Sequence, residues 1–243
     1  MGVTEILLVR HGESAANIAA SRAEAAGAET IDVPARDPDV QLSAAGQAQA
    51  EALGAWLRDL PDDRRPDVVW SSPYRRALDT ARTALRVADA DVPLRVDERL
   101  RDRDLGITDT LTTAGVLARF PEEAERRRWL GKFYHRPPGG ESWADVALRV
   151  RTVLADLERQ SRHRRVLVTC HDVVVLVFRY VCEQLDEERV LEIGRTEGVR
   201  NASVTRLVHD GEDWHLADYN LDAHLRQEHA PRTDEPSAVR EVR

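Results

Sequence analysis

Ile6-Leu7-Leu8-Val9-Arg10-His11-Gly12-Glu13-Ser14-Ala15-Ala16-Asn17 decides how this chain is read. Four aliphatic residues in a row, stopped by a basic pair and a glycine, have the length and make-up of a buried strand that ends in a turn. Similar short runs recur at Val68–Trp70, Val166–Thr169 and Ser203–Val208, with a weaker one at Pro93–Val96. Helical patterns lie between them. Leu53, Trp56, Leu57 and Leu60 follow a Ser43 cap, and Val146, Val150, Val153, Leu154 and Leu157 follow Ser142, where Asp145 completes a capping-box-like start. Strands alternating with helices of this length need crossover connections. The predicted fold is therefore α/β, a three-layer α/β/α sandwich on a mostly parallel sheet.

The 243 residues suit one sizeable core with an inserted piece. Residues 18–40 are weakly patterned and read as a helix end plus a long loop. Residues 107–141 contain no clear strand and read as an insertion. From Ala223 onward the chain is charged, with two prolines and little to bury, so residues 223–243 are expected to form a disordered tail on a domain spanning 1–222. The longest apolar run is the six residues Val173–Phe178, too short to cross a bilayer. The opening residues do not resemble a signal peptide, and Cys170 and Cys182 sit in apolar surroundings. A cytoplasmic location is the expectation. A net charge of −8 argues against nucleic acid or an anionic membrane as the partner. Arginine accounts for 34 of the 35 basic residues, so Lys132 is the single lysine.

Three segments place basic groups just past a predicted strand: Arg10-His11-Gly12, Ser71 to Arg76, and His171. The carboxyl ends of parallel strands line the ligand crevice of an open α/β sheet, so these groups should meet at one edge. Two arginines and two histidines beside helix N-termini suit a compact dianion such as a phosphoryl group. No set of His and Cys residues has zinc-ligand spacing, and no metal or other cofactor is expected.

Leu8 to Ser14 with Asn17, Leu42 to Ala48, Ser71 to Ala81 and Val166 to His171 together resemble the successive motifs of the histidine phosphatase superfamily, the phosphoglycerate mutase-like enzymes. The likeness covers roughly residues 5–210. It implies a phosphomonoesterase of the histidine acid phosphatase type. His11 would be the nucleophile that forms a phosphohistidine, with His171 as its catalytic companion and Arg10, Asn17 and Arg76 holding the phosphoryl oxygens. Arg75, one residue off the motif spacing, is expected to face solvent. The general acid is commonly a Glu four residues before a Gly. Asp102 stands at that position here, one methylene shorter, with Glu98 as the other candidate.

The stretch from Phe120 to Val146 is similar to the fructose-2,6-bisphosphatase-like branch, and it implies a lid over the pocket in which Arg128 and Lys132 grip the organic half of the substrate. Trp143 replaces a Tyr of that branch. Asp172, Leu176 and Thr113 depart from its pattern and argue against fructose 2,6-bisphosphate itself. Arg126 and Arg127 read as a solvated helix face balanced by Glu122, Glu123 and Glu125. The expected activity is hydrolysis of a small phosphorylated metabolite without a metal. Two alternatives stand beside it: a phosphoglycerate mutase-type phosphoryl transferase, and a non-catalytic module that binds a phospholigand.

Overall fold

The structure, a computed structural model, describes residues 2–33, 36–159 and 163–233. The first half runs β1 (Glu5–Arg10), α1 (Ala15–Ala25), α2 (Ala44–Asp59), β2 (Val68–Ser71), α3 (Arg75–Ala88) and β3 (Leu94–Val96). An inserted segment with α4 (Thr113–Arg119) and α5 (Pro121–Leu130) follows. The chain returns through α6 (Trp143–Arg159), β4 (Arg165–Cys170), α7 (Asp172–Cys182), α8 (Glu187–Thr196), β5 (Val204–His209), β6 (Trp214–Leu221) and α9 (Ala223–Gln227).

The strands form one sheet in the order β3-β2-β4-β1-β5-β6. Strands β1 to β4 pair in parallel, and β5 and β6 add an antiparallel edge. The architecture is the α/β sandwich that the alternating pattern predicts. Side-chain alternation explains why the strands read as unbroken apolar runs: both faces are covered. Ile6, Leu8, Val68, Trp70, Val166 and Val168 point to one face, where they pack with Val146, Val150 and Phe178 of α6 and α7. Leu7, Val9, Val69 and Leu167 point to the other, against Leu53 and Leu57 of α2 and Ala81 and Ala84 of α3. Phe178 and Leu53 are completely buried, and each such side chain contributes roughly 1.5–3 kcal/mol. No helix among the described residues is long and apolar enough to cross a membrane.

The inserted segment has no strand. The helix face expected around Glu122 to Arg127 is α5, whereas α4 has no sequence signal; neither helix carries an apolar stripe, since α4 buries only Gly115 and α5 only Glu123. Caps and tertiary contacts hold them instead. Thr112 caps α4 through the Gly115 N–H, and its hydroxyl donates to the Ala28 carbonyl. Leu111 forms a bridge to Thr30, and His135 pairs with Glu123 at 3.1 Å.

The start of the C-terminal stretch differs from the expected loose tail. Residues 223–227 form α9, whose Leu225 is buried with Ala52 and Ala202. Gln49 of α2 then donates to the Pro231 carbonyl at 2.9 Å and to Thr233 Oγ1 at 2.8 Å. Leu225 is joined by buried His224, whose Nε2 lies 3.0 Å from the Ala202 carbonyl oxygen, and composition averages hide both anchors. The rest of the expected tail, 234–243, lies outside the described residues.

Candidate active site

Strands β1, β2 and β4 each end at a helix N-terminus, which brings three positive dipole ends to one edge of the sheet. After β1 the chain turns through His11 and Gly12 into α1. Ser14 caps that helix in a reciprocal capping box with Asn17. The turn is clamped on several sides. The His11 N–H donates to the Cys170 carbonyl at 3.0 Å, the His11 carbonyl accepts from Asn201 Nδ2 at 3.1 Å, and the Gly12 N–H donates to Thr80 Oγ1 at 3.1 Å.

From below, α2 presses on the same turn. Gly46 approaches so closely that a Cβ there would lie 1.9 Å from the Glu13 carbonyl oxygen. Ser43 ties the approach through its N–H to the Glu13 carbonyl at 2.9 Å and its hydroxyl to Glu13 Oε1 at 2.6 Å. The Leu42–Gly46 segment is thus a buttress for the His11 turn.

The His11 ring is buried. Its Nδ1 lies 2.7 Å from the Gly12 carbonyl oxygen, an acceptor only, so Nδ1 carries the proton. Nε2 then holds a lone pair, toward which Arg76 Nε donates at 3.3 Å. Burial, followed by the positive charge of Arg76, the His171 ring and Arg10, pushes the His11 pKa well below its ordinary value and keeps the ring neutral. His171 packs edge-on at 5.2 Å between ring centroids. Its Nε2 lies 2.9 Å from the Ser72 hydroxyl oxygen, and its Nδ1 lies 3.2 Å from Asp102 Oδ2. Burial lowers the His171 pKa although Asp102 pulls the other way.

Arg76 is 4% exposed and reaches across the pocket. Its Nη2 donates to Asp102 Oδ2 at 2.9 Å, and its Nη1 donates to Asp37 Oδ1 at 2.7 Å and to the Asp37 carbonyl at 2.8 Å. Arg75, by contrast, is exposed and pairs with Asp79. Asp102 is drawn in from three sides, by Arg76, His171 and the Arg103 N–H at 2.8 Å. Burial alone would raise its pKa, but His171, Arg76 and that N–H outweigh burial and hold the carboxyl well below the usual range. Glu98 is exposed at the start of a short 3-10 turn. Arg10 donates to the Val199 carbonyl at 2.5 Å. Asn17 Oδ1 serves the Ser14 N–H, with Asn201 Nδ2 3.4 Å away.

These distances gather Arg10, His11, Asn17, Arg76, Asp102 and His171 at one place. Arg128 and Lys132 do not belong to this bonded cluster. Arg128 is exposed on α5, and the Lys132 ammonium sits 5.7 Å over the Trp143 ring, beside a cavity lined by Asp186, Glu188, Arg189 and Glu192. Arg127, read from the sequence as solvated, is half-buried and close enough to Arg103 that it helps burial to bring that guanidinium's pKa down to about 10. Asp37, Ser72, Thr80 and Asn201 were missed as site residues. Ser72 and Thr80 lie inside the Ser71 to Ala81 motif without having been given a role; Asp37 and Asn201 carry no local signal, because only tertiary packing brings them in.

A neutral buried histidine with Arg76 and Arg10 beside it at the strand ends agrees with what the chain resembles. Residues 6–222 match the histidine phosphatase superfamily, branch 1. The chain belongs to that family. It is 31% identical over 194 residues to a 2,3-bisphosphoglycerate-dependent phosphoglycerate mutase 2 of Gloeobacter violaceus, with 77% of this chain and 80% of that protein covered. It is also 31% identical over 184 residues to the 6-phosphofructo-2-kinase/fructose-2,6-bisphosphatase of Gallus gallus, covering 75% of this chain but only 34% of that protein. The match therefore spans about a third of the larger enzyme. Among solved structures, a mycobacterial glucosyl-3-phosphoglycerate phosphatase in complex with VO3 superposes with a TM-score of 0.71 at 28% identity, over 90% of this chain and 100% of that one. The family membership and the mixed α/β fold follow from these likenesses, and the relatives named are phosphatases and phosphoryl-transfer enzymes.

Proposed function

We propose that this chain hydrolyses a small phosphomonoester through a phosphohistidine at His11. The observation that carries the reading is the pinned tautomer: Nδ1 is held on the Gly12 carbonyl, so the Nε2 lone pair faces the pocket beside Arg76. In the first step Nε2 attacks phosphorus and the bond to the leaving oxygen breaks. Arg10, Arg76 and Asn17 bind the equatorial oxygens, whose charge is redistributed in the transition state. Fixed guanidinium donors supply there the charge stabilisation that a metal supplies in other phosphoryl transfers.

Asp102 is the group proposed to protonate the leaving oxygen and then to take a proton from the attacking water, so the cycle returns it to its starting state. Its low pKa in the resting site fits this only because the substrate changes it. A phosphoryl dianion on Arg76 is a like charge beside the carboxyl and competes for the guanidinium, and both effects raise the pKa of Asp102 again. Arg128 and Lys132 are proposed to hold the organic half of the substrate. Alanine at each should then raise KM and leave kcat unchanged.

The test is release of phosphate from an aryl phosphate in EDTA, with an acid-labile phosphoenzyme trapped by rapid quenching. His11→Ala should abolish both signals. Turnover that survives His11→Ala, or no turnover with phosphate still bound, overturns the reading, the latter in favour of the binding module. The Gloeobacter likeness, which covers most of that mutase, favours one second reading. Conversion of 3-phosphoglycerate to its 2-isomer with a bisphosphoglycerate primer would establish it. A panel of phosphorylated metabolites, glucosyl-3-phosphoglycerate included, would define the substrate.

A further inference from the structure

Every N–H of Arg76 is already engaged. Nε–H points at His11 Nε2, Nη1 serves the Asp37 carbonyl and Oδ1, and Nη2 serves Asp102 Oδ2 at 2.9 Å and Asp37 Oδ2 at 3.3 Å. A guanidinium has five donors and no more. A phosphoryl group that lies on Arg76 within reach of His11 must therefore displace a carboxylate. Asp102 is fixed by His171 and by the Arg103 N–H. Among the described residues, Asp37 has no comparable side-chain anchor apart from Arg76. It opens the short 3-10 turn Asp37–Asp39, and its side chain is 38% exposed. Its carboxylate has the same charge sign and the same two-oxygen grip on the fork that a phosphoryl group has.

We propose that Asp37 is a built-in competitor for the phosphoryl pocket, a carboxylate that sits on the Arg76 fork and has to swing out with its turn as a phosphoryl group enters. The proposal rests on the reading of this pocket as a phosphoryl site and deepens it. The consequence is weaker retention of the product. Inorganic phosphate offers nothing beyond its oxygens to offset the lost Asp37 contact, whereas a substrate gains further contacts through its organic half. The displacement lowers the apparent affinity of phosphate and of substrate by the same factor, so Asp37 relieves product inhibition while the contacts of the organic half keep substrate binding useful. A contact closed nine-tenths of the time lowers apparent affinity about tenfold.

Binding of inorganic phosphate and of orthovanadate to the full chain, measured by calorimetry, tests this without relying on turnover. Asp37→Asn and Asp37→Ala should each tighten phosphate binding about tenfold, and Asp37→Glu, which restores the carboxylate, should return it toward the original value. Asp39→Asn, on the same turn but paired with exposed Arg36, should leave it unchanged. General damage to the turn would loosen binding, so tightening is specific to competition. Equal or weaker binding by both Asp37→Asn and Asp37→Ala overturns the proposal and leaves the phosphoryl site standing. If neither the original chain nor any variant binds phosphate or vanadate, the phosphoryl site itself fails, and the competitor with it.

Discussion

Gly46→Ala is the sharpest test of how the His11 turn is positioned. The added Cβ would lie 1.9 Å from the Glu13 carbonyl oxygen and 2.8 Å from the Glu13 nitrogen, both backbone atoms that cannot rotate away. Ordinary contact begins near 3.4 Å, so α2 and the turn must separate by roughly 1.5 Å. Helix α2 is not free to tilt, since Gly54 on the same helix lies against Ala84 and Val87 of α3. The displacement therefore falls on Glu13, two residues from the nucleophile, and strains the Ser43 bonds to it. Overpacking of this kind costs about 1–3 kcal/mol, and a shift of about 1 Å at a reacting group costs on the order of a hundredfold in rate. Gly54→Ala is the control. Its Cβ would meet Ala84 O and Val87 Cβ at 2.6 Å, a clash of similar kind far from the turn. Urea unfolding should show both variants destabilised, while hydrolysis of an aryl phosphate, measured where both remain folded, should collapse only for Gly46→Ala. If Gly46→Ala keeps its rate, or if both variants lose rate in step with stability, the buttress argument is wrong.

The remaining predictions concern proton chemistry and the C-terminal segment. Asp102→Asn should reduce kcat/KM on an alkyl phosphate by roughly 10²–10⁴ and on a good aryl leaving group much less. Glu98→Gln, at an exposed position, should do neither, and the reverse order would move the acid to Glu98. His11, His171 and His224 all have folded pKa values below the ordinary histidine value, each mainly through burial. Their neutral forms favour the fold, so stability is complete above pH ~6.5 and falls as the pH drops below it, by up to ~1.4 kcal/mol per pH unit for each group. Urea midpoints across pH 4.5–8 check the sign, and stability that rises on acidification would refute it. Truncation after Asp222 removes buried Leu225 and the Gln49 contacts. It should cost about 2 kcal/mol or more, where a loose tail would cost nothing.

How far the sequence could be read depended on whether a residue's role is set by its neighbours in the chain. Arg10, His11 and His171 could be placed because each follows an aliphatic strand, and parallel strands carry whatever follows them to the same edge. Arg76 could be told from Arg75 by the S-P-x-x-R-A spacing of the family it resembles, and the physical reason is that one residue of helix rotation, about 100°, takes a side chain from the pocket to solvent. The core followed from the same logic, since Ile6 and Leu7 must point to opposite faces.

Helix α5 offers no such phase. Choosing between Arg127 and Arg128 requires the phase of a helix whose only buried side chain, Glu123, is charged, so no apolar stripe marks the inner face. Arg127 is half-buried and acts on Arg103 while Arg128 is exposed, so the proposal of Arg128 rests on the family likeness and not on a pattern in the helix. Asp37 is a different case, because no phase or pattern could have found it. Its role depends on a loop that folds over α3 to meet a guanidinium 39 residues away in the chain. Contacts of this kind are decided by tertiary packing. They are also where members of one family can differ most, because a loop residue can change the affinity of a shared pocket without touching the strands that build it.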